Sequence, residues 1–190
     1  MTVTVITGTS TGIGLATTLR LAKSGHRVYA GVRNPVAATE LQAAIDAGAG
    51  AISMLEIDVN DEISVRTAID RVLAAEGRID VLINNAGIGR GGAVEETDMS
   101  AVRELFETNF FGLVAVTQAV LPGMRRQQSG TIVNVSSIAR AVCDADECFL
   151  RRLQTCGRSV LGKFGGTNEP FQCPGRYHRT RRDRHRDLRE

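Results

Sequence analysis

Ten residues near the N-terminus carry the strongest chemical signal in the chain. A short β-branched run ends at Thr7, and Gly8-Thr9-Ser10-Thr11-Gly12-Ile13-Gly14 follows directly. An amphipathic pattern starts straight after the last glycine. A strand, a glycine turn and a helix N-terminus in that order let backbone N–H groups approach a pyrophosphate, whose negative charge the helix dipole favours. Gly8, Ser10, Gly12, Ile13 and Gly14 are the candidate phosphate-binding residues. Their spacing, Gly-x-x-x-Gly-x-Gly, departs from Gly-x-Gly-x-x-Gly, and a glycine triplet alone also fits a plain turn.

Other polar residues fall where such a ligand needs them. The run Arg27–Val32 ends at Arg33-Asn34 with no carboxylate to accept from a ribose 2′-OH. The planar guanidinium of Arg33 suits a 2′-phosphate instead. NADP(H) is therefore expected over NAD(H), with a solvated loop arginine as the plain alternative. Asp58-Val59 closes the third apolar run, and Asn84-Asn85-Ala86-Gly87 follows the fourth. Asn109 lies in a helical pattern, and Ser136-Ser137 follow the fifth run. Read singly, each has an ordinary role: Asp58 as a helix cap, Asn85 as a turn former, Asn109 as a polar helix residue, the serines as loop residues.

The elements that must position these residues are legible in the hydrophobic periodicity. Strands are expected at Val3–Thr7, Arg27–Val32, 52–57, 79–83 and 131–135. Helices are expected over 13–24, 37–47, from an Asp61 cap through 75, and over 99–120 before Leu121-Pro122-Gly123. Strand–helix alternation at these lengths argues for a parallel α/β sheet with helices on both faces and ligand at the carboxyl ends of the strands. A chain of 190 residues is one domain by length, with enough residues for a real core. Thr2, Thr4 and Thr7 interrupt the first apolar run, unlike a signal peptide, and no apolar run reads as long enough to span a membrane. A soluble cytoplasmic protein is the expectation.

In order and spacing these motifs resemble the short-chain dehydrogenase/reductase family over residues 1–139: its TGxxxGIG at 7–14, Asp58-Val59, its NNAG at 84–87, Asn109 and the strand-end serine. The resemblance implies a Rossmann-like doubly wound parallel sheet, truncated here after the fifth strand, with residues 1–139 as the dinucleotide-binding domain. It implies Asp58 and Val59 at the adenine ring and Asn85, Ala86 and Gly87 close to the cofactor. It gives Asn109 a relay water to hold and Ser137 the substrate oxygen to bond. The implied activity is NADP-dependent interconversion of a small-molecule alcohol and a carbonyl, in a parent family that is usually homo-oligomeric.

Such chemistry needs a proton donor at the substrate oxygen, which in the family is a tyrosine with a lysine four residues on. No tyrosine occurs between Tyr29 and Tyr177. Tyr177 is followed four residues later by Arg181, which stays charged and cannot relay a proton. The composition also breaks near Ala139. Residues 1–139 carry 11 basic and 14 acidic side chains (net −3), and residues 140–190 carry 12 and 7 (net +5). Eleven of the 21 arginines and all four cysteines lie in the second segment.

The genetic code offers an account of that break. Bases two and three of each codon, joined to the first base of the next, spell a second frame. From Leu150 through Thr155 that frame permits Tyr-Ala-Ala-Ser-Lys, its tyrosine thirteen positions after Ser137. Gln154-Thr155 allows only lysine or arginine there. Residues 140 and 141 permit Gly-Arg, 172–176 permit Asn-Val-Arg-Val-Val, and 179–181 permit Glu-Pro-Gly. Residues 140–190 thus read as an out-of-frame, poorly ordered basic tail, with one base gained or two lost near Ala139.

Rival readings of the tail are less well supported. Arg176, Arg179, Arg181, Arg182 and their neighbours could meet phosphates, but Asp183, Asp187 and Glu190 dilute them, so no nucleic-acid partner is expected. Cys143, Cys148, Cys156 and Cys173 form no CxxC pair, so no metal site or disulfide framework is expected. The non-enzyme alternative is an inactive nucleotide-binding fragment lacking the tyrosine–lysine pair. Resequencing the gene across codons 137–142 checks the frame: removal of one base should restore the Tyr-x-x-x-Lys reading, and an unshifted gene that offers no such frame overturns it.

Overall fold

The computed structural model describes residues 1–89 and 94–136. Its strands are β1 (Val3–Thr7), β2 (Arg27–Val32), β3 (Ile52–Glu56), β4 (Val81–Asn84) and β5 (Thr131–Asn134). All pair in parallel, in the order β3-β2-β1-β4-β5. β1 is the central strand and all five of its residues are buried. That is why its sequence reads as a continuous run rather than an alternation.

The pleat divides the apolar side chains between two faces. Val5 stands in register with Tyr29 on one side and Leu82 on the other. These three, with Leu55 and Ile132, pack under α3 (Glu62–Glu76) and α5 (Gly112–Gln127), through Val65, Ile69, Val72, Val116 and Val120. On the opposite face Ile6, Val28, Ala30, Val32 and Ile83 pack with Ala22 of α1 (Gly12–Lys23) and Leu41 of α2 (Thr39–Asp46). The expected doubly wound α/β sheet with helices on both faces is what the chain forms.

Helix ends follow their local chemistry. Asp61 accepts from the N–H groups of Ile63 and Ser64 to start α3, and Gly77 ends it in the left-handed region at φ 71°. Asp98 starts α4 (Met99–Phe106) by accepting from the Ser100 N–H, a bond that holds its carboxyl below the usual aspartate range. At the amino end of the sheet, the Tyr29 hydroxyl donates to Glu76 at 2.7 Å, and Arg27 pairs with the same carboxylate at 3.2 Å. Burial and that carboxylate push the phenol's pKa up.

Two expectations are corrected. The last long helix does not stop before Pro122: α5 runs through it to Gln127. An interior proline costs about 3 kcal/mol, but the turn beyond it buries Gly123 and Met124 against the core. The stop falls at Gln128, left-handed at φ 51°. Met99–Gln127 is also one helical stretch of 29 residues, long and apolar enough by length and composition to cross a membrane. Its Leu105, Val116, Val120 and Met124 are buried in this chain's own fold.

Leu82 is fully buried on β4, between the β1 and β5 ladders. Leu82→Ala should lower unfolding free energy by about 2–5 kcal/mol, read from the midpoint of urea denaturation.

Candidate active site

The carboxyl ends of β1, β2 and β4 meet at one edge of the sheet, and the loops leaving them are bolted together. β1 ends at Thr7, whose Oγ1 accepts from the backbone N–H of Asn85 at 3.1 Å and of Ala86 at 3.0 Å. The Asn85 carboxamide nitrogen donates back to the carbonyls of Thr7 at 3.0 Å and Gly8 at 2.8 Å. Gly8 takes φ +68°, and a Cβ there would come within 2.7 Å of the Ala86 backbone. A Cβ on Gly14 would collide with the Gly8 carbonyl and the Asn85 carboxamide. Gly8 and Gly14 are required by the close approach of neighbouring chain, and the 84–87 loop is half of the glycine turn's scaffold.

The helix that follows is open at its N-terminus. Thr11 caps α1 without a side-chain bond, and no acidic residue lies in its first turn. Gly12 and Ile13 are exposed, and among the described residues nothing lies within 4 Å of the place a Gly12 Cβ would take. By contrast α3 and α4 have aspartates on their first N–H groups. An uncompensated N-terminus with room above its glycine fits an anionic pyrophosphate. Ser10, half-buried, lines the same turn.

Arg33 is exposed just past the end of β2. The next residue, Asn34, turns the chain by accepting from Val36 N–H at 3.0 Å and Ala37 N–H at 3.3 Å. Across the sheet, Asp58 accepts from the Asn60 N–H at 3.0 Å, while its own N–H donates to Ser64 Oγ at 2.9 Å. Val59 packs against the backbone of Gly112 so closely that a Cβ there would lie 2.8 Å from its methyl. Asn60 reaches on to Thr108 Oγ1 at 3.0 Å.

Asn109 is buried in a π turn, Glu107–Phe111, between α4 and α5. Its carboxamide accepts from the Ile88 N–H and donates to the Ile88 carbonyl, both at 2.8 Å. The side chain therefore braces the loop after β4. Asn84 lies deeper: its nitrogen donates to Thr117 at 3.1 Å and Asn134 at 2.9 Å, and its Oδ1 is buried with no partner among the described residues. Gly87 is exposed at the same edge, and Ser136 is exposed just past β5. Ser137 and the whole of 140–190, with the frame reading placed on it, lie outside the described residues.

Thr7, Thr9, Asn60 and Thr108 were not singled out from the sequence. A buried threonine at a strand end is the available signal for the first two. Nothing local marks the Asn60–Thr108 pair, which is 48 positions apart.

The short chain dehydrogenase family matches residues 2–145. The chain belongs to that family. It is 43% identical over 134 residues to the 3-ketodihydrosphingosine reductase of Bacteroides thetaiotaomicron, covering 70% of this chain and 46% of that protein. It is 38% identical over 138 residues to human retinol dehydrogenase 8, covering 70% of this chain and 43% of that one. Among solved structures it is similar to a gluconate 5-dehydrogenase from Burkholderia cenocepacia in complex with NADP and tartrate. The TM-score is 0.74 at 29% identity, over 82% of this chain and 61% of that one. The chain thus spans less than half the length of these two curated relatives.

Thr7→Val should strip the shared acceptor from two backbone N–H groups, costing about 1–3 kcal/mol for each left bare. Thr7→Ser should recover most of the loss. Urea midpoints of the three proteins measure it.

Proposed function

We propose that the chain derives from an NADP(H)-dependent oxidoreductase that interconverts an alcohol and a carbonyl on a small-molecule substrate. One observation carries the reading: an uncapped helix N-terminus on a glycine turn, fixed from below by Thr7 and Asn85, with an arginine at the end of the neighbouring strand. Gly8, Ser10, Gly12, Ile13 and Gly14 would hold the pyrophosphate, and Arg33 the 2′-phosphate. Asp58 and Val59 would flank the adenine, and Asn85, Ala86 and Gly87 would lie along the cofactor toward the reacting end. NADP(H), when bound, supplies or takes up the hydride. The NADP of the gluconate 5-dehydrogenase complex supports that choice. The names of the two curated relatives, a keto reductase and a retinol dehydrogenase, support the same redox pair run in either direction.

The chain's remaining task is to move a proton at the substrate oxygen. Ser137 would bond that oxygen. Asn109, with its carboxamide engaged by Ile88, would serve the relay by fixing the π turn and the 85–88 loop, with a water held on that turn. The donor itself would be the tyrosine of the shifted frame. Two facts support assigning 140–190 to the wrong frame: the composition breaks near Ala139, and the family match ends at residue 145. The second reading is an inactive nucleotide-binding fragment, favoured for the chain as written because no tyrosine lies between Tyr29 and Tyr177. A cytoplasmic location and a homo-oligomeric parent complete the proposal.

The purified 190-residue chain should bind NADPH yet show no measurable carbonyl reduction, since a positioned proton donor is worth about 10²–10⁴-fold in rate. Deleting one base near codon 140 should restore turnover. Turnover by the unaltered chain would count against the frame assignment. Arg33→Asp should reverse the preference for NADPH over NADH in a fluorescence titration, because a carboxylate repels the 2′-phosphate and accepts from the 2′-OH. Unchanged relative affinities would make Arg33 a plain loop residue.

A further inference from the structure

Thr9 is fully buried, one residue past the first glycine of the phosphate turn. Both its backbone N–H, at 3.0 Å, and its hydroxyl, at 3.1 Å, donate to the carbonyl of Gly31 on β2. Gly31 is the crowded point of that strand. A Cβ there would lie 2.7 Å from the Ile57 side chain and 2.8 Å from the Ile6 carbonyl. One residue on, the Val32 carbonyl accepts from the Ile57 N–H at 2.9 Å. The end of β2 is thus held from the phosphate-turn side by Thr9 and from the adenine side by Ile57. Arg33 is the first residue beyond both clamps.

We propose that Thr9 is a positioning residue for cofactor choice: its hydroxyl fixes where Arg33 leaves the sheet relative to the phosphate turn. The proposal rests on the reading of Arg33 as the 2′-phosphate partner. A dinucleotide 2′-phosphate has a bounded reach from its pyrophosphate, so a guanidinium meets it best where the turn and the strand end keep their separation. The Thr9 hydroxyl is the side-chain strut between those two points. NADH has no 2′-phosphate and is indifferent to where the guanidinium stands. Loosening the strut therefore weakens NADPH binding more than NADH binding.

The test is titration of the full chain with NADPH and with NADH, followed by cofactor fluorescence, for the unaltered protein, Thr9→Val and Thr9→Ser. Thr9→Val keeps the shape and the backbone bond and removes only the hydroxyl. It should lower the NADPH-to-NADH affinity ratio by about five-fold, the worth of one net hydrogen bond. Thr9→Ser should keep the ratio. If Thr9→Val weakens both cofactors alike, or leaves both unchanged, Thr9 is scaffold only and the proposal falls while the reading of Arg33 stands. If Thr9→Ser loses the ratio as Thr9→Val does, the hydroxyl is not the cause and the proposal falls. If the unaltered chain shows no preference for NADPH, the reading of Arg33 falls first and the proposal with it.

Discussion

A buried central strand cannot simply stop. β1 is covered on both faces and flanked on both edges, so the polar backbone groups of its buried end need partners where its neighbours turn away. Buried N–H and C=O groups must find partners. Here the answer is short polar side chains used as substitute backbone. The Thr7 hydroxyl takes the N–H groups of 85 and 86, the Asn85 carboxamide takes the carbonyls of 7 and 8, and Thr9 takes the carbonyl of Gly31. Each bond joins the end of one strand to the loop of another. The glycine turn inherits its shape from that need.

The two ends of the sheet use polarity differently. At the amino end, Arg27, Tyr29 and Glu76 form one cluster, and Asp80 accepts from the Val3 N–H at 2.8 Å while Arg78 donates to it. Those groups satisfy each other. At the carboxyl end, neutral amides and hydroxyls fasten loop to loop, and Arg33 is exposed at the rim. The cross-links continue beyond the glycine turn. Val59 packs on Gly112, Asn60 bonds Thr108, and Asn109 bonds Ile88, so the turn after β3, the π turn and the loop after β4 form one braced rim. A site built this way has its geometry set before a ligand arrives, which is what positioning catalysis and selective binding both require.

The fold was largely legible in the sequence because its signals are local. β1 and β2 are bounded where their apolar runs suggest, Asp61 caps the helix between β3 and β4 as expected, and the glycine trio marks the turn. The misreadings have one physical source, tertiary packing overriding a local signal. Pro122 reads as a stop, yet burial of Gly123 and Met124 carries the helix through it. Asn109 reads as a lone polar residue on a regular helix, yet it sits on a π turn that no spacing announces. The candidate site was legible as a set of contact residues and illegible as a scaffold. Asn85 reads as a turn former or as lying close to a cofactor, and neither reading announces that its carboxamide nitrogen is committed to the Thr7 and Gly8 carbonyls.

The last 51 residues differ from the rest in a way that physical chemistry alone does not explain. A basic extension under selection for phosphate contact would concentrate lysine and arginine without interleaved acids, and this one alternates Arg182, Asp183, Arg184, His185, Arg186, Asp187. The codon argument accounts for that mixture directly. An arginine codon CGN followed by C yields GNC one base later, which encodes alanine, glycine, valine or aspartate. These are ordinary residues of an α/β domain, and each surfaces as arginine when C precedes it. Arginine enrichment is then the shadow of an unremarkable sequence. The proposed shift would also permit, thirteen positions after Ser137, the Tyr-x-x-x-Lys pair that the chain as written lacks. One displaced base, as proposed, would account for an excess and a deficit together, which neither a nucleic-acid tail nor a cysteine-bound metal would do.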